Sequence, residues 1–477
     1  MDILTSVDAE RIGEYRRRDQ FFWLDLEAPS AQDLDALRSA LDLHPMALED
    51  TREFGQRPKV DTYENHVLVV FYTVVRDPGE PVHQPAEVHI YVSGHWIVTV
   101  HQVPLPQLAE LHGRLRPEKS RDEDYLVYRI FDGLTDAFYP AIERFEELIA
   151  ERVGAPYAAA VSSGTAGLHM LCHIRGVEPG EEVITSPVSF VATANCFIFE
   201  GGVPVFADVD PRTLNLDPAA VEAAITERTK GIVVVDMFGY PCELDELRAI
   251  AGRHGLWLID DSCEALGAEY KGAPIGSHGP SGAFGFYPNK QLTTGEGGMV
   301  TTHSEEERDL IVSLRNQGRS YDSRWFHHVR VGFNYRITDI QAAVGIAQLE
   351  KLDQMLELRS AAAARYTELL AGVDGVEPPL ADDADHVRSW FVYVVKVAPE
   401  VDRDAVLERL AAQGVEAGHY VPAVHLQPYM RERYGFAEGM CPVAEDACSR
   451  TLALPFFPQL EAADQELVVD ALRAAIG

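Results

Sequence analysis

The chain has 477 residues, and 41 Lys and Arg stand against 75 Asp and Glu, a formal net charge of −34. At ~100–200 residues per domain this length predicts two to four domains, and the acidic balance argues against non-specific binding to nucleic acid or to an anionic membrane surface. It leaves open an anionic small substrate, which needs only a few local donors. The six cysteines form no C-x-x-C pair, so reduced thiols and no zinc site are expected. Asp2, Asp8 and Glu10 interrupt any N-terminal apolar run, and no stretch reaches ~18 apolar residues. The reading is a cytoplasmic chain without signal peptide or membrane span.

Residues 20–115 read as a small α/β unit. "FFWLDL" has strand character, and "SAQDLDALRSALDL" sets Leu34, Leu37 and Leu41 at helical spacing behind a cap at Ser30. "HVLVVFYTVV" reads as a buried strand, and "AEVHIYVSGHWIVTVH" as a hairpin turning at Ser93-Gly94. Residues 122–153 read as one long helix, with Pro140 placed to kink it.

From residue 157 short apolar strands alternate with helices. The strands are "YAAAVSS", "EEVITSP", "VPVFADVD", "GIVVVDMFG" and "LWLIDDS", with helices from "GTAGLHMLCHIRG" and around "FVATANCFIFEG". Such alternation predicts a largely parallel, helix-covered sheet. One long helix is expected after Thr338, and the segment from 381, with "WFVYVVKV" and "RDAVLERLAAQG", fits a smaller α+β domain.

Four pieces of the middle region suit one chemistry. Ser163-Gly164-Thr165 lies at a strand-to-helix junction, where free N–H groups and the helix dipole can seat a phosphate; alone it is equally an ordinary cap. Asp260 and Asp261 end the strand "LWLID", at the carboxyl edge where open α/β sheets bind ligands. An acid there can pair with a ring-nitrogen cation, or merely cap a helix, and the sequence leaves the two acids in competition. Lys290 stands in "FGFYPNKQLTTGEGGMV", a low-charge loop before a glycine cluster. A lone lysine is usually a solvated charge, but an amine held among neutral groups is a nucleophile toward a carbonyl. "VGFNYRITDIQAAVG" is by itself a helix start.

Together and in this order these segments resemble the DegT/DnrJ/StrS family of pyridoxal-phosphate (PLP) dependent sugar aminotransferases. The resemblance covers ~145–477 and includes "SFVATANC", "VFADVDPRTLNLD", "HYVPAVHLQPY" and "LALPFFPQL"; "NKQLTTGEGGMV" is its most specific run. It implies a fold-type I α/β transferase and a homodimer with active sites shared at the interface. It further implies amino transfer from an amino acid, glutamate in most relatives, to a nucleotide-linked keto sugar. Lys290 would carry the cofactor as a Schiff base and shuttle the proton, and Asp261 would keep the ring nitrogen protonated. Phe190 would stack on the ring, Gly164 and Thr165 would hold its phosphate, and Glu264 would sit beside its hydroxyl. Asn334 would reach the phosphate in the neighbouring subunit, and His425 lies in a substrate-side loop. Lysine rather than histidine at position 290 argues against the family's dehydratase branch. Two departures stand out. Many relatives have serine where this chain has Gly285, so a phosphate contact is expected from elsewhere, with Ser281 as the candidate. The opening stretch of the family, which runs over the active site, is expected to be replaced by other sequence.

That other sequence, ~20–145, resembles the soluble cytoplasmic domain of CorA-type magnesium transporters. The likeness rests on "WLDLEAPSAQDL", "LDLHPMALEDTREFGQRPKVDTYENHVLVVFY", "GHWIVTVH" and "DYLVYRIFDGLTDAFYPAIE". The membrane helices and the Gly-Met-Asn signature of that family are missing, so transport is not expected. Asp50 and Asp61 are read as surface acids rather than metal ligands. The expected layout is a CorA-like domain at 1–145, a PLP-binding large domain at 146–380 and a small domain at 381–477. The alternative to an active aminotransferase is a weakened PLP-binding protein that senses or assembles through its N-terminal domain.

Overall fold

A computed structural model describes residues 2–75, 84–114, 123–136, 139–320 and 327–477. Internal contacts divide the chain into two units, Met1–Ala141 and Ile142–Gly477.

The first unit is built on a six-stranded sheet. Its order is Asp2–Leu4, Phe22–Glu27, Trp96–His101, Gln84–Val92, Val67–Val75, Lys59–Thr62. The first three strands are parallel and the rest antiparallel. The hairpin turns where expected, with Gly94 at φ 88 and Ser93 donating its N–H to Trp96. Helix Ala31–Leu41 starts at Ser30 with a full capping box to Asp33. It buries Leu34, Leu37 and Leu41 on one face of the sheet, while Leu126, Ile130 and Leu134 pack on the other. Strands covered on both faces need apolar residues at successive positions, which is why "HVLVVFYTVV" does not alternate. Asp50 and Asp61 both lie against the Lys59 ammonium, at 2.8 and 3.0 Å, so the two carboxylates share one positive charge.

The second unit centres on a seven-stranded sheet. Its order is Tyr157–Val161, Gly298–Thr302, Ser281–Gly285, Trp257–Asp261, Thr229–Val235, Glu182–Thr185, Val203–Phe206. Only Gly298–Thr302 runs against the others. Six strands therefore present their carboxyl ends on one edge, where the loops bearing the chemistry gather. A three-stranded antiparallel sheet, Val376–Glu377, Tyr393–Val397 and Thr451–Leu454, forms a separate core with helices Leu352–Leu370 and Ala462–Ile476.

Two expected long helices are divided. Residues 122–153 form Glu123–Asp136 and Tyr139–Val153; residues 137–138 between them, and 122, lie outside the described residues. Pro140 sits in the first turn of the second helix, where a missing N–H breaks no helical bond, so it starts a helix instead of kinking one. The helix capped by Thr338 ends at Leu349, and a second runs from Leu352. Leu352 is buried at the restart, and the apolar spacing continues across the break, so the sequence pattern carries no sign of it.

Candidate active site

A cavity of about 520 Å³ opens at the carboxyl edge of the seven-stranded sheet. Lys290 enters it from the loop after strand Ser281–Gly285. That loop is pinned by backbone bonds from Phe286 N–H to Gly297 (2.9 Å), Thr294 N–H to Phe286 (3.0 Å) and Lys290 N–H to Tyr287 (3.0 Å). The amine lies 3.4 Å from Glu264 Oε1 and 4.0 Å from the centroid of the Phe391 ring. Glu264 is itself fixed, because Oε2 accepts the N–H of Phe238 at 3.0 Å and Oε1 accepts the Tyr420 hydroxyl at 2.9 Å. Phe238 turns that N–H inward by adopting a left-handed backbone, φ 58, a conformation that costs about 1–3 kcal/mol and persists only where its surroundings enforce it. Buried Gln291 ties the same segment down by donating to the carbonyls of Glu264 and Ser389.

The competition between the two strand-end acids is resolved by the pleat, which sends neighbours to opposite faces. Asp261 lines the cavity. Its Oδ2 accepts from Thr193 Oγ1 at 2.6 Å, and its Oδ1 accepts the N–H of Cys263 at 3.2 Å. Ser189 extends the chain, with its hydroxyl 2.5 Å from that of Thr193. Asp260 points away from the cavity toward Asp236, and burial raises the affinity of both for a proton.

Helix Gly164–Ile174 aims its N-terminus at the cavity, capped by Ser163, whose Oγ accepts the N–H of Ala166 at 3.1 Å. Glycine is required around this junction. A Cβ on Gly298 would lie 2.6 Å from the carbonyl carbon of Ser163, and one on Gly164 would lie 2.6 Å from Cys263 Sγ. Phe190, 65% exposed, turns its ring into the open space.

The structure thus gathers Gly164, Thr165, Phe190, Asp261, Glu264 and Lys290 around one cavity. It does not bring in three others. Ser281 begins the strand that Gly285 ends, so it lies at the opposite edge of the sheet, bonded to Thr302 (3.1 Å), Glu307 (3.0 Å) and Arg175 (3.2 Å). The expected phosphate contact from Ser281 is corrected on that ground. His425 is fully buried, 3.0 Å from Glu445, and is not among the residues that line this chain's cavity. Asn334 is exposed and absent from the walls of this chain's cavity. Tyr420, Thr193 and Phe391 were not singled out in the sequence. Tyr420 stands within "HYVPAVHLQPY", but nothing in the spacing says that a residue so far along the chain returns to Glu264.

Residues 119–473 match the profile of the DegT/DnrJ/EryC1/StrS aminotransferase family. The chain belongs to this family. It is 39% identical over 349 residues to spore coat polysaccharide biosynthesis protein SpsC of Bacillus subtilis (strain 168), covering 70% of this chain and 89% of the relative. To GDP-perosamine synthase of Caulobacter vibrioides it is 38% identical over 372 residues, covering 77% of this chain and 98% of the relative. Among solved structures, DesV of S. venezuelae matches with a TM-score of 0.66 and 35% identity over 70% of this chain and 89% of that one. The fold is accordingly that of the fold-type I transferases, and the chain is a PLP-dependent sugar aminotransferase. Residues 18–152 match the profile of the CorA-like Mg2+ transporter protein. No helix among the described residues is long and apolar enough to cross a membrane. The two matches overlap over 119–152, so the aminotransferase match starts ahead of ~145. The share of each relative that the match covers runs from 89% for SpsC to 98% for GDP-perosamine synthase.

The cavity suits PLP on its own chemistry. It offers a helix N-terminus freed by two glycines for a phosphate, a fixed carboxylate at a strand end, an exposed aromatic face and an amine.

Proposed function

We propose that this enzyme transfers an amino group from glutamate to a keto sugar carried on a nucleotide, acting in the cytoplasm as a homodimer with shared active sites. The observation that carries this reading is the meeting of Lys290, Asp261 and the N-terminus of helix Gly164–Ile174 in one cavity. The 38% identity to GDP-perosamine synthase supports a nucleotide-linked substrate. A large domain at 146–380 and a small one at 381–477 would form the site, with 1–145 as an accessory domain.

PLP, when bound, supplies an electron sink for the charge left on a carbon that loses its proton. The other roles belong to the chain. Lys290 would anchor the cofactor and, once displaced by the amino donor, move the proton from the donor's α-carbon. Asp261, held by Thr193 and the N–H of Cys263, would face the ring nitrogen and keep it protonated. Thr165 and the free N–H groups at Gly164 would bind the phosphate, Phe190 would cover one ring face, and Glu264 would orient the ring hydroxyl. Asn334 would complete the phosphate site of the other subunit. Val331, 84% exposed, and Ile340, 78% exposed, stand near it in the chain and give an apolar surface for a second copy to cover.

The test is spectroscopic. The purified protein with PLP is expected to show a visible band that glutamate bleaches, and a nucleotide-linked keto sugar should restore it. The Lys290→Ala protein should retain no PLP after borohydride reduction and denaturation. A band unmoved by glutamate would instead favour the weakened PLP-binding reading.

A further inference from the structure

Glu264 Oε1 serves two donors at once. Tyr420 approaches to 2.9 Å, an ordinary hydrogen bond, but Lys290 stays at 3.4 Å. A charge-assisted bond between an ammonium and a carboxylate normally closes to about 2.7–2.9 Å, so the neutral donor holds the better place on that oxygen. Glu264 cannot turn its other oxygen to the lysine, because Phe238 N–H occupies it. Tyr420 cannot easily leave either, since its ring meets Phe238 and Phe391 edge to face at 5.3 and 5.7 Å. Burial and the charge of Glu264 push its phenol well up, so Tyr420 stays a donor across the working range of pH. The lysine is left with one long contact to a shared oxygen and the face of Phe391.

We propose that Tyr420 is a positioning residue that acts through Glu264: by taking the better share of Oε1 it weakens the carboxylate's hold on Lys290 and keeps the amine free to join and leave the cofactor. The inference rests on Lys290 being the cofactor's anchor. A lysine gripped by an unshared buried carboxylate would be a poor nucleophile, because its lone pair would stay protonated. With no carboxylate charge at all, it would lose its fixed resting place between reactions.

The test uses the full-length chain stripped of cofactor. Acetylation of Lys290 by acetic anhydride is followed by mass spectrometry at one mildly alkaline pH, with exposed Lys351 as the internal standard. Glu264→Gln, which removes the charge, should raise the relative rate at Lys290. Tyr420→Phe, which removes only an oxygen, should lower it by about twofold or more, the scale of one buried hydrogen bond. The double variant should match Glu264→Gln, because the tyrosine has nothing left to act through. A rate unchanged or raised in Tyr420→Phe, no rise in Glu264→Gln, or an effect of Tyr420→Phe that survives in the Glu264→Gln background would overturn the proposal. PLP uptake by the unaltered protein is measured alongside. Failure to bind PLP would sink the reading of the site, whereas the labelling rates decide the role of Tyr420 separately.

Discussion

Asp260 and Asp261 are chemically identical neighbours, and one strand gives them opposite environments. Asp261 accepts two hydrogen bonds beside an open cavity. Asp260 faces Asp236 in a fully buried place, where burial is the main force on both; the charge of Asp236 raises Asp260 further, and the charge of Asp261 adds to the rise of Asp236. Asp236 is pushed up to about 7 and Asp260 is also raised, so the pair holds a proton that the unfolded chain would release at about pH 4. The sign follows: the native state binds more protons than the unfolded one between these values, so this stabilisation is complete at low pH and is lost as pH rises through about 7. The melting temperature of Asp236→Asn should therefore fall less than that of the unaltered protein as pH is raised across this window. Parallel curves would show that the pair holds no such proton. At this scale the sequence was informative about residue type and silent about direction. "LWLIDDS" displays both acids, but only the pleat and register decide which one reaches the cavity.

Elements were legible where their signals are local. The capping box at Thr338 and Gln341 and the N-cap at Ser163 are spelled out within a few residues. The interruption at Glu350–Lys351 was not, because the apolar spacing runs on through it. Helix Tyr139–Val153 gives a sharper case. Its Phe145 is fully buried, 5.4 Å from the Phe286 ring, and it rests on Gly345, where an added Cβ would lie 2.5 Å from its ring. No periodicity in either segment announces that contact, since a bare glycine is the signal and many glycines have no such role. Phe286 lies in the turn that carries Lys290, so this helix braces the reactive loop. Phe145→Ala should cost about 3–5 kcal/mol of stability, the usual range for emptying a buried phenylalanine site. A lowered denaturant midpoint with an unchanged slope would show it, and a midpoint within error of the unaltered protein would mean that the helix braces nothing.

For the whole molecule, the alternation of strand and helix announced a parallel sheet, and the sheet then dictates where chemistry gathers. What the sequence could not say is which distant segments close the cavity, since Tyr420 and Phe391 arrive from more than a hundred residues beyond Glu264. The same limit applies across subunits. If Asn334 completes the partner's phosphate site while Lys290 serves its own, Lys290→Ala and Asn334→Ala should each be inactive alone. Dissociated, mixed and reassociated, they should recover about a quarter of full activity, because random pairing makes half the dimers mixed and each then holds one intact site. No recovery on mixing would place both residues in the same site.

The displacement of Ser281 from the cavity carries a lesson about evolvability. One edge of the sheet is held by the cluster of Ser281, Thr302, Glu307 and Arg175, and the other carries loops whose side chains face the cavity. Laboratory selection for new substrates can therefore draw its variation from the cavity edge alone. Selection for heat tolerance can draw on the opposite edge, and the two sets of changes can be combined with little mutual interference.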